Sequence, residues 1–219
     1  MCATWYVTAA LVIALPSLAG DDPKPEARAL FDGKSLDGWK KTDFFEPGDV
    51  KVEDGQIKLG VGNKMTGITS AHKNLPKINF ELSFEAKRTE GSDFFAAATF
   101  PVGEGYITLV NGGWGGSVTG LSSLNGADAS ENDTSTYVKY ENDRWYKFRV
   151  WVGAETIRAW VDDKLVIDVD YRGREVKTRI ETRANQPLGF ATYASAGAIR
   201  AIKVRSLDQK EIQSLKAKD

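Results

Sequence analysis

Four aromatic and basic residues alternate with aliphatic residues along two neighbouring segments of the sequence. Arg149 and Trp151 do so in the first segment, and Arg158 and Trp160 do so in the second. If the two segments pair as a hairpin, the four side chains form one patch of rings and guanidinium groups. Sugars suit such a patch, because their C–H faces stack on rings and their hydroxyl groups accept charged hydrogen bonds. We therefore predict substrate contacts here; the alternative is sheet packing in which arginine stems cover the tryptophans.

Two glutamates, Glu81 and Glu85, lie on the face of a predicted strand opposite its apolar residues. A carboxylate can act as a general base that removes a proton from a substrate. Either glutamate is therefore a candidate catalytic base if this face is the concave one, and the alternative is a solvated outer face. The paired acids of ordinary glycosidases have only a weak counterpart at 131–136, which lacks its last acid.

A glycine-rich segment, 111–135, is predicted to be a long loop, with a short strand near Val118 as an alternative. Asn111 begins the segment, and Trp114 stands between two pairs of glycines. Glycine allows a ligand to approach the main chain closely, and long loops in compact domains are often functional. We predict that Asn111 and Trp114 contact substrate, Trp114 as a stacking platform. The alternatives are a mobile surface loop and a loop anchor.

Three acidic residues in the same loop, Asp128, Glu131 and Asp133, could bind calcium through their oxygens, although their spacing does not match an EF-hand. No other cofactor is expected. His72 is the only histidine, which excludes zinc sites built from several histidines. It is a candidate general base or an ordinary surface residue.

The elements that would position these residues are strands, because apolar and polar residues alternate with a period of two. The clearest predicted strands are 78–87, 145–152 and 156–161, and others are predicted at 50–53, 56–59, 94–100, 106–110, 165–169, 188–193 and 198–205. Turn residues such as Asp54-Gly55 and Asp162-Asp163 separate them. Short strands at close, regular spacing predict an all-β sandwich or barrel of antiparallel strands.

The predicted helix is terminal and runs from Leu207 to Lys216. Asp208 is its N-cap candidate, and Glu211 follows three residues later, as in a capping box. The predicted organisation is therefore a β domain at 30–207, a preceding linker at 20–29, and a C-terminal helix and tail at 208–219.

The N-terminal residues 1–19 are predicted to be a signal peptide. An apolar run from Thr4 to Leu15 precedes small residues at Ser17 and Ala19, a pattern typical of cleavage after Ala19. The run is shorter than the roughly 20 residues that span a bilayer. We expect export to the periplasm or the extracellular space and a mature chain that is not membrane-embedded; the alternative is a buried helix or strand.

Cysteine content and charge exclude several classes of function. The single cysteine, Cys2, lies in the signal segment, so the mature chain has no disulfide, cysteine nucleophile or thiolate metal site. The net charge is -1, which gives no basic excess, and nucleic acid is not an expected partner. The oligomeric state does not follow from the sequence.

The segment at 30–39, LFDGKSLDGW, resembles the opening of the 3-keto-disaccharide hydrolase domain family. Weaker resemblances follow in the same order at 52–57, 79–87, 142–146 and 187–204. Two features depart from the family pattern. The family pattern has an arginine after the stretch that corresponds to residues 91–97 of this chain, and no arginine matches it here. The family's closing histidine is also missing, and residues 193–195 stand near its place. The chain is therefore similar to a divergent member.

This resemblance implies a concanavalin A-like jelly roll of two antiparallel sheets, and activity on, or binding of, carbohydrate, particularly 3-keto-glycosides. In such a sugar the C3 carbonyl acidifies the proton on C2. Elimination then needs one base, stabilisation of an enolate oxygen and help for the leaving group. The leading hypothesis is an exported hydrolase or lyase that acts by proton abstraction and elimination. The alternatives are a lectin-like module that binds glycans without cleaving them and a structural domain without a sugar site.

Overall fold

The computed structural model describes residues 1–2 and 24–216. Residues 3–19 of the predicted signal segment, including its cleavage site, lie outside the described residues, so export stays a prediction. Within 24–216, no helix is long and apolar enough to cross a membrane.

The described chain is an antiparallel sandwich of two sheets. In chain order the elements are β1 (Arg28–Ala29), β2 (Trp39–Lys41), β3 (Val50–Glu53), β4 (Gln56–Leu59), β5 (Met65–Ser70), β6 (Phe80–Gly91), β7 (Ala97–Val102), β8 (Gly105–Gly113), β9 (Val118–Ser122), β10 (Thr136–Tyr137), β11 (Tyr146–Val152), β12 (Thr156–Val161), β13 (Lys164–Asp170), a 3-10 helix (Arg183–Asn185), β14 (Gly189–Tyr193), β15 (Ser195–Ser206) and α1 (Gln209–Ser214). Sheet A has the order β13-β12-β11-β6-β15-β4-β3, with β1 paired to β15. Sheet B has the order β10-β9-β8-β7-β14-β5-β2. The predicted jelly-roll sandwich with a short C-terminal helix is confirmed.

Aromatic residues on the inner faces hold the two sheets together. Phe84 of β6 stacks on Phe148 of the neighbouring strand β11, with ring centroids 4.9 Å apart. The same ring meets Phe190 of sheet B edge to face at 4.8 Å. All three rings are buried, so the alternating pattern of β6 places one set of side chains in the core and the other set outside.

Three strands begin and end where the sequence predicts, and two strands that are buried along their whole length, β5 and β9, were missed. β3, β4 and β12 have the predicted bounds. β5 is buried along its whole length and therefore carries no alternating pattern. β9 lies inside the segment predicted to be a loop, and β1 lies inside the predicted linker, where it pairs with β15.

The C-terminal helix α1 begins with the predicted capping box. The Asp208 carboxylate accepts a hydrogen bond from the Glu211 N–H at 2.8 Å, and the Glu211 carboxylate accepts one from the Asp208 N–H at 3.0 Å. Arg205 of β15 donates to both carboxylate oxygens of Glu211, at 2.7 and 2.8 Å. These bonds attach α1 to the outer face of sheet A, since Arg205 lies on that face.

Candidate functional site

The outer face of sheet B is covered by a segment of the chain itself, residues 179–187. Asn185 at its centre is fully buried, and its side-chain amide donates to Thr42 Oγ1 at 2.9 Å and to the Ile68 carbonyl at 3.0 Å. Gly189 below it leaves the necessary room, because a Cβ atom there would lie 2.8 Å from the Cβ of Asn185. We call residues 179–187 the cover segment.

A cavity of about 280 Å³ remains between the cover segment and sheet B. Its walls come from β5, β8, β14, the stretch before β7, the turn after β8 and the start of the cover segment. The lining residues are Met65, Asp93, Phe94, Thr108, Val110, Trp114, Arg179, Glu181, Thr182 and Tyr193.

One wall of the cavity is aromatic. The rings of Phe94 and Tyr193 lie with centroids 5.6 Å apart and a tilt of 38°. Trp114 stands at the turn after β8, in the left-handed region with φ of 50°, and 44% of its surface is exposed. The Trp114 ring is therefore at the cavity mouth, where an exposed face can stack on a ligand. Its predicted role as a stacking platform stays a prediction.

Asp93 supplies a carboxylate that the backbone orients. One oxygen accepts a hydrogen bond from the Phe94 N–H at 2.8 Å. The other accepts one from the Gly115 N–H at 3.0 Å. Because Gly115 follows Trp114 directly, this second bond holds the carboxylate and the Trp114 turn in a fixed relation.

Arg179 and Glu181 form a two-bond pair at the opposite wall. Arg179 donates from Nε and Nη2 to the two oxygens of Glu181, at 3.2 and 3.1 Å, and from Nη1 to Asp128. The hydrogen bonds from Arg179 hold the pKa of Glu181 below its ordinary value, and those to Glu181 raise the pKa of Arg179. Three of the five guanidinium N–H groups are thus engaged, which leaves two.

The structure does not bring the two predicted base candidates to this cavity. Glu81 and Glu85 lie on the outer face of sheet A, the opposite side of the sandwich. Glu81 Oε2 accepts hydrogen bonds from Trp151 Nε1 at 2.6 Å and from Arg205 at 2.8 Å. Glu85 Oε2 accepts one from Arg200 at 2.8 Å. Both carboxylates therefore form part of the ion-pair network on sheet A.

The two segments pair as a hairpin, which was the condition for one patch of Arg149, Trp151, Arg158 and Trp160. Arg149 lies opposite Trp160 and Trp151 lies opposite Arg158, and the two tryptophan rings are 5.1 Å apart. The patch they form faces outward on sheet A, away from the cavity. Its role in binding a sugar stays a prediction.

Asn111 does not line the cavity. It is fully buried, and its side chain bonds to the Ala96 N–H at 3.2 Å and the Ala96 carbonyl at 2.7 Å. These two bonds attach β8 to the stretch before β7, so Asn111 supports the strand that carries Thr108 and Val110.

The acidic residues predicted as calcium ligands have other partners. Asp128 contacts Arg179, and Asp133 forms two hydrogen bonds with Arg174, at 2.7 and 2.6 Å. Among the described residues, no group of three or more histidine, cysteine, aspartate or glutamate side chains could hold a metal ion. His72 bonds to the Leu30 carbonyl at 2.8 Å, outside the cavity.

Sequence reasoning missed every lining residue of the cavity except Trp114, including Asp93, Phe94, Arg179, Glu181 and Tyr193. One signal was present: residues 91–97 and 193–195 are the two stretches where the sequence departs from the family pattern, and they contain Asp93, Phe94 and Tyr193. Arg179 and Glu181 lie in a stretch without periodicity, which gave no signal.

Comparison with known proteins places the chain in a family. A family model described as the 3-keto-alpha-glucoside-1,2-lyase-like domain matches residues 26–205. No curated protein gives a significant match.

Three solved structures of low identity have a similar fold. Carbohydrate-binding module CBM66 from Bacillus subtilis is 12% identical, with a TM-score of 0.54, over 77% of this chain and 96% of that chain. A glycosyl hydrolase family 16 protein from Mycobacterium smegmatis is 13% identical, with a TM-score of 0.52, over 83% and 100%. The Crh5 transglycosylase is 11% identical, with a TM-score of 0.54, over 87% and 89%. Since the family model covers most of the sequence, the chain belongs to the 3-keto-alpha-glucoside-1,2-lyase-like domain family.

Proposed function

We propose that the cavity binds one ring of a 3-keto-glycoside and that Asp93 removes the proton from C2 of that ring. The observation that carries this proposal is the presence of one backbone-oriented carboxylate in the same cavity as an aromatic wall and a partly free guanidinium group. Membership of the lyase-like family supports the substrate class.

The reaction is an elimination across C1 and C2. Asp93 takes the proton from C2, and the electrons of the C2–H bond form an enolate with the C3 carbonyl. The enolate then collapses to restore the carbonyl, the C1–C2 double bond forms, and the C1–O bond to the aglycone breaks. The departing oxygen takes up a proton, which Asp93 can return. Addition of water to the double bond would complete a net hydrolysis.

The size and the walls of the cavity suit a single ring. Its volume of about 280 Å³ lies just below the range of about 300–1,000 Å³ that is usual for ligand pockets, so the aglycone would extend past Trp114 into solvent. The faces of Phe94, Tyr193 and Trp114 offer surfaces on which the C–H bonds of a sugar can stack.

Arg179 is the candidate group for the enolate oxygen. Its two unengaged N–H groups can donate to a developing negative charge, which is the strongest form of stabilisation in such reactions. Glu181 and Asp128 hold the guanidinium plane in place. Hydrogen bonds from Arg179 lower the pKa of Glu181, which makes this carboxylate a weak base.

The test is release of the aglycone from a 3-keto-glucoside by purified protein. Asp93→Asn should lower kcat by about 10²- to 10⁴-fold. Glu85→Gln is the matched control on the opposite sheet and should leave kcat unchanged. The reverse result, with Glu85→Gln inactive and Asp93→Asn active, would return the base to sheet A. Absence of release, together with glycan binding that is lost in Trp114→Ala, would instead support a lectin-like module.

A further inference from the structure

Four outward-facing residues form a row across sheet A. Trp160 of β12 lies opposite Arg149 of β11, Arg149 lies opposite Ser83 of β6, and Ser83 lies opposite Lys203 of β15. Since successive residues of a strand point to opposite faces, all four side chains project from the face that does not contact the core. Lys203 is exposed and the other three are half-buried.

Arg149 packs against two tryptophan rings but has no carboxylate partner among residues 24–216. Its guanidinium lies 4.3 Å from the ring centroid of Trp160 and 5.6 Å from that of Trp151. Stacking of this kind fixes the plane of the guanidinium. The N–H groups along the edge of that plane then remain available for two parallel hydrogen bonds to an anionic group.

Lys203 is brought to the same face by an irregularity of β15. The pairing register shifts between Arg200 and Lys203, and Ala201 between them has φ of 52°. A bulge of this type changes the direction of side chains, so the side chains of Arg200 and Lys203 both point outward. The described residues give Lys203 no ion-pair partner. It is two strand spacings, about 10 Å, from Arg149, and the hydroxyl group of Ser83 lies between them.

The carboxylates beside the row are neutralised by other residues. Glu81 shares Arg205 with Glu211, and Lys24 lies 3.4 Å from Glu211, so two cations face these two carboxylates. Glu85 pairs with Arg200 at 2.8 Å. The row therefore keeps two uncompensated positive charges on a chain whose net charge is -1. An anion that binds here meets no unpaired negative charge on the adjacent positions of β6.

We propose that this row binds the carboxylate groups of a uronate-bearing polysaccharide. Arg149 and Lys203 take the charged groups, Ser83 donates a hydrogen bond between them, and the exposed part of Trp160 contacts the face of a sugar ring. Two separated cations flanked by acidic residues match the widely spaced charges of such a polymer. They do not match duplex DNA, which carries one charge per about 1.7 Å and needs a continuous basic stripe.

Titration calorimetry of the full chain with polygalacturonate at low salt tests the proposal. Arg149→Gln should weaken binding by about tenfold to a hundredfold, the range expected for charged hydrogen bonds. Lys203→Gln should weaken it less, and Arg149→Lys should restore only part of the loss because a lysine lacks the planar fork. Lys40→Gln removes the same charge from sheet B and should change the affinity less than twofold.

Titrations with other ligands distinguish binding of a uronate polysaccharide from binding of neutral glycans, nucleic acid or lipid. Neutral dextran should not bind at this face. Tighter binding of a single-stranded oligonucleotide or of anionic lipid vesicles than of polygalacturonate would overturn the proposal, as would equal affinities of Lys203→Gln and Lys40→Gln. Because Lys203 is exposed, its variant tests the site even if Arg149→Gln fails to fold. Asp93→Asn should bind polygalacturonate normally, which separates this site from the cavity on sheet B.

Discussion

The outer faces of the two sheets differ in what covers them. Sheet B carries small residues such as Ala97, Thr99 and Gly189 on its outer face, and the cover segment packs against it through the buried Asn185. Sheet A carries long charged and aromatic side chains, and α1 contacts it through the ion pair between Arg205 and Glu211.

This difference determines what each face can do. A covered face with a residual cavity excludes part of the water, so that charges inside it interact strongly. Such a site suits proton transfer. An open face keeps its cations hydrated and suits the reversible binding of a large, charged polymer. The sandwich thus separates the candidate chemistry from the candidate attachment surface.

The largest effect on stability is expected from removal of the central contact of the cover. Asn185→Ala removes the amide's hydrogen bonds to Thr42 Oγ1 and to the carbonyls of Ile68 and Phe190, and it creates a void beneath the 3-10 helix. We expect the free energy of unfolding to fall by about 3 kcal/mol. Urea titration measures this loss, and binding of a sugar in the cavity should weaken with it.

Arg183→Ala is the control for this prediction, since Arg183 is exposed in the same 3-10 helix. It should change the free energy of unfolding by less than about 0.5 kcal/mol. Equal losses in the two variants would show that the cover is not held by its buried amide, and the contrast between the two faces would then fail.

A smaller and pH-dependent effect is expected where α1 meets sheet A. Hydrogen bonds from Arg205, followed by the Asp208 N–H, lower the pKa of Glu211 from 4.5 to about 2. The carboxylate therefore stabilises the folded state fully above about pH 5, and this contribution is lost as the pH falls towards 2. Glu211→Gln should cost about 2 kcal/mol at pH 7.

Urea titrations of Glu211→Gln and of the natural chain at several pH values measure this dependence. The difference between the two proteins should shrink steadily from pH 5 to pH 2. Glu104→Gln, at a carboxylate that is 91% exposed, provides the comparison and should show little change at any pH. A difference that stays constant over this range would contradict the assigned role of Glu211.

The smallest effect is expected at an exposed ion pair, between Asp133 and Arg174. Hydrogen bonds from Arg174 lower the pKa of Asp133, but 55% of the Asp133 side chain is exposed, so water screens the pair. Asp133→Asn should therefore cost less than about 1 kcal/mol in urea titration. A loss as large as that of Asn185→Ala would mean that surface charge, rather than burial, stabilises the sheet B side.

Much of sheet A could be predicted from the sequence because its strands have one buried face and one exposed face. β11 and β12 alternate strictly, and this pattern gave the bounds of β12, those of β11 to within one residue, and the outward direction of Arg149 and Trp160. Sheet B was harder to predict, since the cover segment buries its outer face as well. β5 shows this, because a strand buried on both faces has no alternation to detect.

The residues of the candidate site also differ in whether the sequence predicted them. Trp114 was predicted from its glycine-rich surroundings, and it lies at the cavity mouth. Asp93 and Arg179 were not predicted, because a partner far away in the sequence orients each side chain. The Asp93 carboxylate is oriented by the N–H of Gly115, and the Arg179 guanidinium is oriented partly by Asp128.

The sequence by itself determined the all-β class, the alternating faces of β11 and β12, the capped C-terminal helix and the family. These depend on side-chain periodicity and on local hydrogen bonds, which neighbouring residues specify. Only the tertiary structure decided that the cover segment lies on sheet B, that Asp93 and Tyr193 share one cavity, and that Glu81 and Glu85 face the opposite side. Such placements arise from contacts between distant segments, and no local pattern of residue types encodes which of two outer faces the chain will cover.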